Sequence, residues 1–230
     1  IVAEVLFDMA DKLEAAEDLP MALHDMIKDT IAAHKRIIFN GNGYSDEWVV
    51  EAERRGLPNI KCMVDAVPAL VKPEAVEIFE KHGVYTKAEM ESRAEVMYET
   101  YSKTINIEAL TMIDMAKKQI VPATIKYQTS LAESVNAIKA ASSAVDTSVQ
   151  EALMADISTN LKDMYAALAH LEEVAGKAEA MEEGAEQGHY YHDVVFTAMD
   201  ELRKPADKLE MLVAKSAWPF PSYGDLIFEV

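Results

Sequence analysis

Cysteine is almost absent from this sequence, with Cys62 the one thiol in 230 residues. A single cysteine excludes an intramolecular disulfide and any all-thiolate metal site. Glycine is scarce too, at eight residues against plentiful alanine and thirteen methionines, a balance that favours helix over sheet. Basic residues are outnumbered, 22 against 40 acidic ones, for a net charge of −18. That leaves no basic footprint for nucleic acid and disfavours an anionic membrane surface. No apolar run approaches the roughly 20 residues of a membrane span, and no signal peptide is visible. Neither a nucleic-acid nor a membrane partner is expected, and a cytoplasmic location is.

Half of the residues are hydrophobic, which argues against disorder and supplies ample core. Val2, Leu6, Met9 and Leu13 already stand at helical spacing, so the chain opens in or near an uncapped helix, over Val2 to Ala16. It reads as a piece of a longer protein or a processed product. Asp18 and Pro20 form an N-cap and first-turn pair for a helix to His34, with Leu23, Ile27, Ile31 and His34 on one face. Arg36 to Phe39 predicts a short extended piece. Asn40-Gly41-Asn42-Gly43-Tyr44 predicts a turn, after which Ser45 caps a helix running to Arg55 and stopped by Gly56. Residues 57–72 read as irregular, and Pro73 to Lys81 as a short helix ended by Gly83.

Thr86-Lys87-Ala88-Glu89 is a capping box opening a helical pattern to about Ala144, which Pro122 should kink or split. Thr147 to Gln150 has the form of a second box. The helix behind it carries the cleanest stripe in the chain: Met154, Ile157, Leu161, Met164, Leu168, Leu171, Ala175 and Ala178, in alternating steps of three and four. Gly184 and Gly188 punctuate this pattern, and a last helix begins near His189, with Pro205 as a second kink. Finally, Trp218-Pro219-Phe220-Pro221 forces extended backbone, because each proline restricts the residue before it. The aromatic rings of this segment form a docking tail, onto the chain's own helices or onto a neighbour. The expected fold is therefore all-α: a smaller helical subregion over 1–85, a bundle of long antiparallel, partly kinked helices over 86–217, and an extended aromatic tail over 218–230.

Few residues group in a way that carries chemistry. His189 and His192 lie one helical turn apart, with Asp193 to buttress an imidazole. They fall at a frayed helix start after Gly188, and a site needs further ligands. A di-metal bundle would need two Glu-x-x-His pairs. Glu186 with His189 is the one match and crosses a glycine, which rejects a ferritin-like reading. The glycine turn at 41–43 lacks a following lysine, and Asp46 and Glu47 would repel phosphate at the next helix start. Cys62 has no histidine nearby to activate it. Glu51, Glu53, Arg54 and Arg55 read as a solvated helix face, and the methionines as core filler. No catalytic, cofactor-binding or metal-binding residue is assigned. A free-standing helical interaction protein is one reading of these features.

The landmarks also resemble a family. The run from His34 through Asn40-Gly41-Asn42-Gly43-Tyr44-Ser45-Asp46-Glu47-Trp48 is similar to a signature of type III glutamine synthetases. So are Glu51-Ala52-Glu53-Arg54-Arg55-Gly56-Leu57-Pro58-Asn59, Pro122-Ala123 with Tyr127-Gln128, Pro205 to Glu210, and the tail from Trp218 to Asp225. The resemblance covers essentially the whole chain. It implies the C-terminal helical portion of an enzyme that makes glutamine from glutamate, ammonia and ATP with magnesium or manganese. Its α/β catalytic core would lie upstream of Ile1, so no catalytic residue carries over and this chain alone is expected to be inactive. The partners implied are that core and neighbouring subunits of a homo-oligomer, with a role in packing, assembly or access to the active site.

Overall fold

The computed structural model describes residues 1–228, so the last two residues of the expected tail lie outside the described residues. No strand forms among the described residues, as the all-α expectation requires. The chain divides into two compact units, the first Ile1–Ala94 and the second from Glu95 onward.

In the first unit, α1 (Val2–Glu14) and α2 (Leu19–His34) pack as a hairpin. Asp18 caps α2 as expected, its Oδ1 accepting the Met21 N–H at 3.2 Å, with Pro20 in the first turn where a missing donor costs nothing. Neither helix buries a single residue fully. The expected extended piece begins later than predicted. Lys35–Ile37 tightens into a 3₁₀ turn, and extended backbone starts at Ile38, because the Ile38 N–H reaches the Lys35 carbonyl and uses one of the helix's orphan acceptors.

The helix α3 (Asp46–Arg54) ends at Gly56, whose φ of +70° closes a Schellman motif with Leu57 N–H donating to Ala52 O at 2.9 Å. Residues 57–72 are not irregular throughout. They contain the short helix α4 (Met63–Ala66) and a 3₁₀ turn at Val67–Ala69. Pro68 sits in that turn's first positions, where its missing donor is tolerated, and Val64 and Val67 are buried. Next, α5 (Pro73–Lys81) is tied to α1 by the Glu4 carboxylate, which pairs with Lys81 at 2.6 Å and His82 at 2.7 Å, while Lys81 lies over the Phe7 ring.

The capping box before α6 (Lys87–Met115) closes in both directions. The Glu89 N–H donates to Thr86 Oγ1, and the Thr86 N–H donates to the Glu89 carboxylate at 2.8 Å. The boundary between the units falls within this helix. In the second unit, α6 runs into a π-helical turn at Ala116–Ile120 and then α7 (Val121–Ala141). Pro122 neither splits the rod nor sits mid-helix. The wider turn just before it places the proline in a fresh first turn, where its ring and missing N–H do no damage.

At the start of α8 (Ser148–Glu179) the predicted second capping box does not form. Thr147 Oγ1 instead donates to the Glu151 carboxylate at 2.8 Å, and Asp146 accepts the Ser148 N–H at 2.9 Å. An aspartate is as good a local acceptor as threonine and stands one residue earlier. Ion pairs Lys139–Glu151 and Lys117–Glu172 join α7 and the preceding π-turn to opposite ends of α8, so the rods run antiparallel. The stripe read from the sequence is this unit's core: Ile157, Met164, Leu168, Leu171 and Ala178 are buried against α7 and α10 (Phe196–Leu212), together with Ile120, Leu202 and Leu209.

The last helical stretch starts earlier than predicted. α9 (Ala185–Tyr190) begins after Gly184, and Gly188 lies buried inside it, its N–H donating to Gly184 O. Gln187 turns back, its Nε2 donating to Ala178 O at 3.0 Å, which satisfies a carbonyl at the end of α8. A second π-turn, Tyr191–Val195, leads into α10, and α10 runs on through the buried Pro205. In the tail, Trp218 and Phe220 are half-buried against this unit's own core, edge to face with centroids 6.2 Å apart. The tail is extended over a shorter span than expected. Ser222 and Asp225 form a capping box that starts α11 (Tyr223–Phe228), with Ser222 N–H donating to Asp225 at 2.8 Å.

Leu171→Ala is expected to cost about 2–5 kcal/mol of unfolding free energy, because it opens a cavity in a close-packed seam. Trp218→Ala should cost less, since that ring keeps a solvent-facing side. Met211→Ala, at a side chain 84% exposed, should cost under about 0.5 kcal/mol. Urea denaturation orders the three, and equal losses at Leu171 and Met211 would contradict this packing.

Candidate functional site: a clamped aromatic loop

The most elaborately held loop in the first unit is the segment between α2 and α3. Phe39 and Trp48 stack with ring centroids 4.5 Å apart. The Arg55 guanidinium lies 5.5 Å from the Trp48 ring centre and 6.0 Å from that of Phe39. Its Nη1 donates to two carbonyls, Arg36 at 3.1 Å and Ile38 at 2.8 Å, and its Nε to the Glu51 carboxylate at 2.5 Å. Only arginine offers this set of donors on one rigid plane that also lies against aromatic faces. Arg54 grips the same carboxylate with two bonds of 2.7 Å. Hydrogen bonds from Arg54 and then Arg55 hold the Glu51 carboxyl down at about 2.

The turn itself is fixed by short-range bonds. Asn42 Oδ1 accepts the Tyr44 N–H at 3.0 Å, an Asx-turn. Ser45 holds the N-cap position but makes no cap bond. Its hydroxyl turns back and donates to the Asn42 carbonyl at 2.8 Å. A side chain at 41 would push the Phe39 ring off its place against Trp48, since a Cβ would stand 2.6 Å from the ring edge. The result is a rigid turn with Tyr44 wholly exposed at its tip. The expectation of a merely solvated charged face is thus corrected for Glu51 and Arg55, which are half-buried and clamp the loop, while Glu53 and Arg54 are exposed. The available signal was the pairing of two aromatics with an arginine at the end of the adjoining helix.

The remaining candidates resolve separately. His189 and His192 both lie inside helix rather than at a frayed start, because the helix begins at Ala185. His192 Nδ1 is 2.7 Å from the Asp193 carboxylate, and its ring is tilted against Tyr101 at 6.4 Å. Among the described residues, no three His, Cys, Asp or Glu side chains come together as a metal ligand set. Cys62 precedes α4 and donates to the Asp65 carboxylate at 2.9 Å. In the second unit, Trp218 and Phe220 roof an apolar cleft of about 200 Å³ over Met112, Met115, Ile120 and Leu202. No described helix is long and apolar enough to cross a membrane.

The family described as the glutamine synthetase C-terminal domain matches residues 22–139. Over 216 residues, the chain is 37% identical to a glutamine synthetase of Butyrivibrio fibrisolvens, covering 94% of this chain and 31% of that protein. It is 29% identical to the type-3 glutamine synthetase of Dictyostelium discoideum and to a glutamine synthetase of Bacteroides fragilis, in each case over 90% of this chain and 29% of the relative. The chain thus spans less than a third of the length of these relatives, at their C-terminal part.

Because Glu51 sits at about 2 against an ordinary 4.5, its pairing is fully present above the ordinary value and is lost as pH falls through about 2. A carbon-13 titration of the Glu51 carboxyl should find that low midpoint, and Arg54→Gln should raise it toward the ordinary value. Arg55→Lys keeps the charge but cannot hold two carbonyls and a carboxylate at once. Proteolytic cleavage at 40–45 should then quicken with helix content unchanged. An unaltered cleavage rate would show that Arg55 does not brace the turn.

Proposed function

The chain belongs to the glutamine synthetase C-terminal domain family, and from that membership we propose that it is the C-terminal helical portion of a type III glutamine synthetase. The full-length enzyme would join ammonia to glutamate at the expense of ATP, with magnesium or manganese, in the cytoplasm. Its reacting groups would reside in the polypeptide that precedes this one, and no catalytic, nucleotide-binding or metal-binding residue is assigned to these 230 residues. Their work is packing, subunit assembly within a homo-oligomer, or the shaping of access to the active site. The observation that carries this reading is the family match over residues 22–139, to which the type-3 name of the Dictyostelium relative adds the class.

A self-contained bundle in the second unit and a braced loop in the first support a scaffolding role, since both present fixed surfaces. The test compares two proteins in glutamate, ammonia, ATP and magnesium. The full-length protein is expected to form glutamine and the 230-residue chain none. Glutamine formation by the chain alone would overturn the division of labour, and a full-length protein without that activity would overturn the assignment.

A further inference from the structure

The first unit carries an apolar surface that its own residues leave uncovered. On α2, Ala22 and Met26 are half-buried. The adjoining stripe Leu19, Leu23, Ile27 and Ile31, in steps of four, is between 42% and 55% exposed. Such steps keep side chains on one slowly turning face. On α1, Val2, Val5 and Leu6 share an arc and are exposed as well. An apolar stripe normally faces a core, and a helix face that is apolar along its length yet exposed marks an interaction surface.

We infer that the α1–α2 face is the seat of the preceding polypeptide of the same protein, through an apolar patch on it rimmed by lysine and arginine. This rests on the functional reading above. Two observations choose that occupant. The relatives are more than three times the length of this chain and match it at their C-terminal part. On that reading a polypeptide preceding this one belongs to the same molecule, so docking would be intramolecular with a high effective concentration. The charge around the stripe selects the rim: residues 1–34 hold eight acidic side chains, two lysines and no arginine. A second copy of the chain would set one acidic rim against another, so self-pairing is disfavoured, whereas a basic rim is attracted and guided into register.

Amide hydrogen exchange in α2, compared between the 230-residue chain and the full-length protein, tests the inference. Exchange over residues 19–34 should be slower in the full-length protein by about tenfold or more. Ile27→Asp should abolish most of that protection in the full-length protein, and Ile27→Leu should keep it. In the 230-residue chain, where Ile27 faces solvent, Ile27→Asp should leave the melting temperature unchanged. Equal exchange in the two proteins would overturn the inference. So would a concentration-dependent dimer of the chain that Ile27→Asp dissolves, because a second copy would then be the occupant. Glutamine formation by the full-length protein is assayed alongside. An active enzyme with unprotected α2 sinks the docking surface alone, and an inactive one removes the functional premise.

Discussion

The second unit depends on one packing event, the burial of the α8 seam. Ile157, Met164, Leu168, Leu171 and Ala178 are essentially removed from water between α7 and α10. A helix of 32 residues has no stability of its own to match this, since most helical stability in proteins comes from an apolar face finding a partner. The surrounding features serve that contact. Asp146 starts the helix at the right residue, Gln187 closes its last turn, and the ion pairs at Lys117 and Lys139 lie on its exposed flanks. Those flank pairs are exposed and screened, so they orient the rods more than they stabilise them.

Long rods and prolines conflict, and the fold resolves the conflict with wider turns. The π-turn at Ala116–Ile120 absorbs Pro122 without interrupting the rod. A second one, at Tyr191–Val195, buries Tyr191 and Val195 against the same core. Burial in apolar surroundings pushes the Tyr191 phenol above its ordinary value. Apolar side chains on both sides of each turn pack in the same core: Ala109 before the first and Val121 after it, Tyr190 before the second and Ala198 after it. Trp218 and Phe220 then close one side of the bundle, half-buried over an apolar cleft.

The first unit is organised by a different constraint. Its few fully buried side chains, among them Val64, Val67 and Met90, are joined by polar ties: Glu4 to Lys81 and His82, and Arg55 to the loop carbonyls. These ties fix backbone geometry while leaving the apolar faces of α1 and α2 in water. Under the docking proposed above, these faces would meet their partner already held in place. Preorganised surfaces bind with less loss of entropy than ones that must be ordered on contact.

The sequence by itself determined the all-α class, the α8 stripe, the Asp18 cap, the Thr86–Glu89 box and the break at the tail prolines, because each is a local rule about spacing, φ or a missing donor. It could not show that Gly188 would be swallowed by a helix, that Asp146 rather than the N-cap Thr147 would accept the first N–H of α8, or that Ser222 and Asp225 would nucleate α11. In each case two local solutions compete within about a kcal/mol, and neighbouring packing chooses between them. The clamp around Arg55 was equally hidden, since its acceptors at Arg36 and Ile38 lie 19 and 17 residues away. Periodicity states which side chains share a face, and only the tertiary structure decides whether that face meets a core, as along α8, or water, as along α2, because burial is a property of the partner and not of the helix.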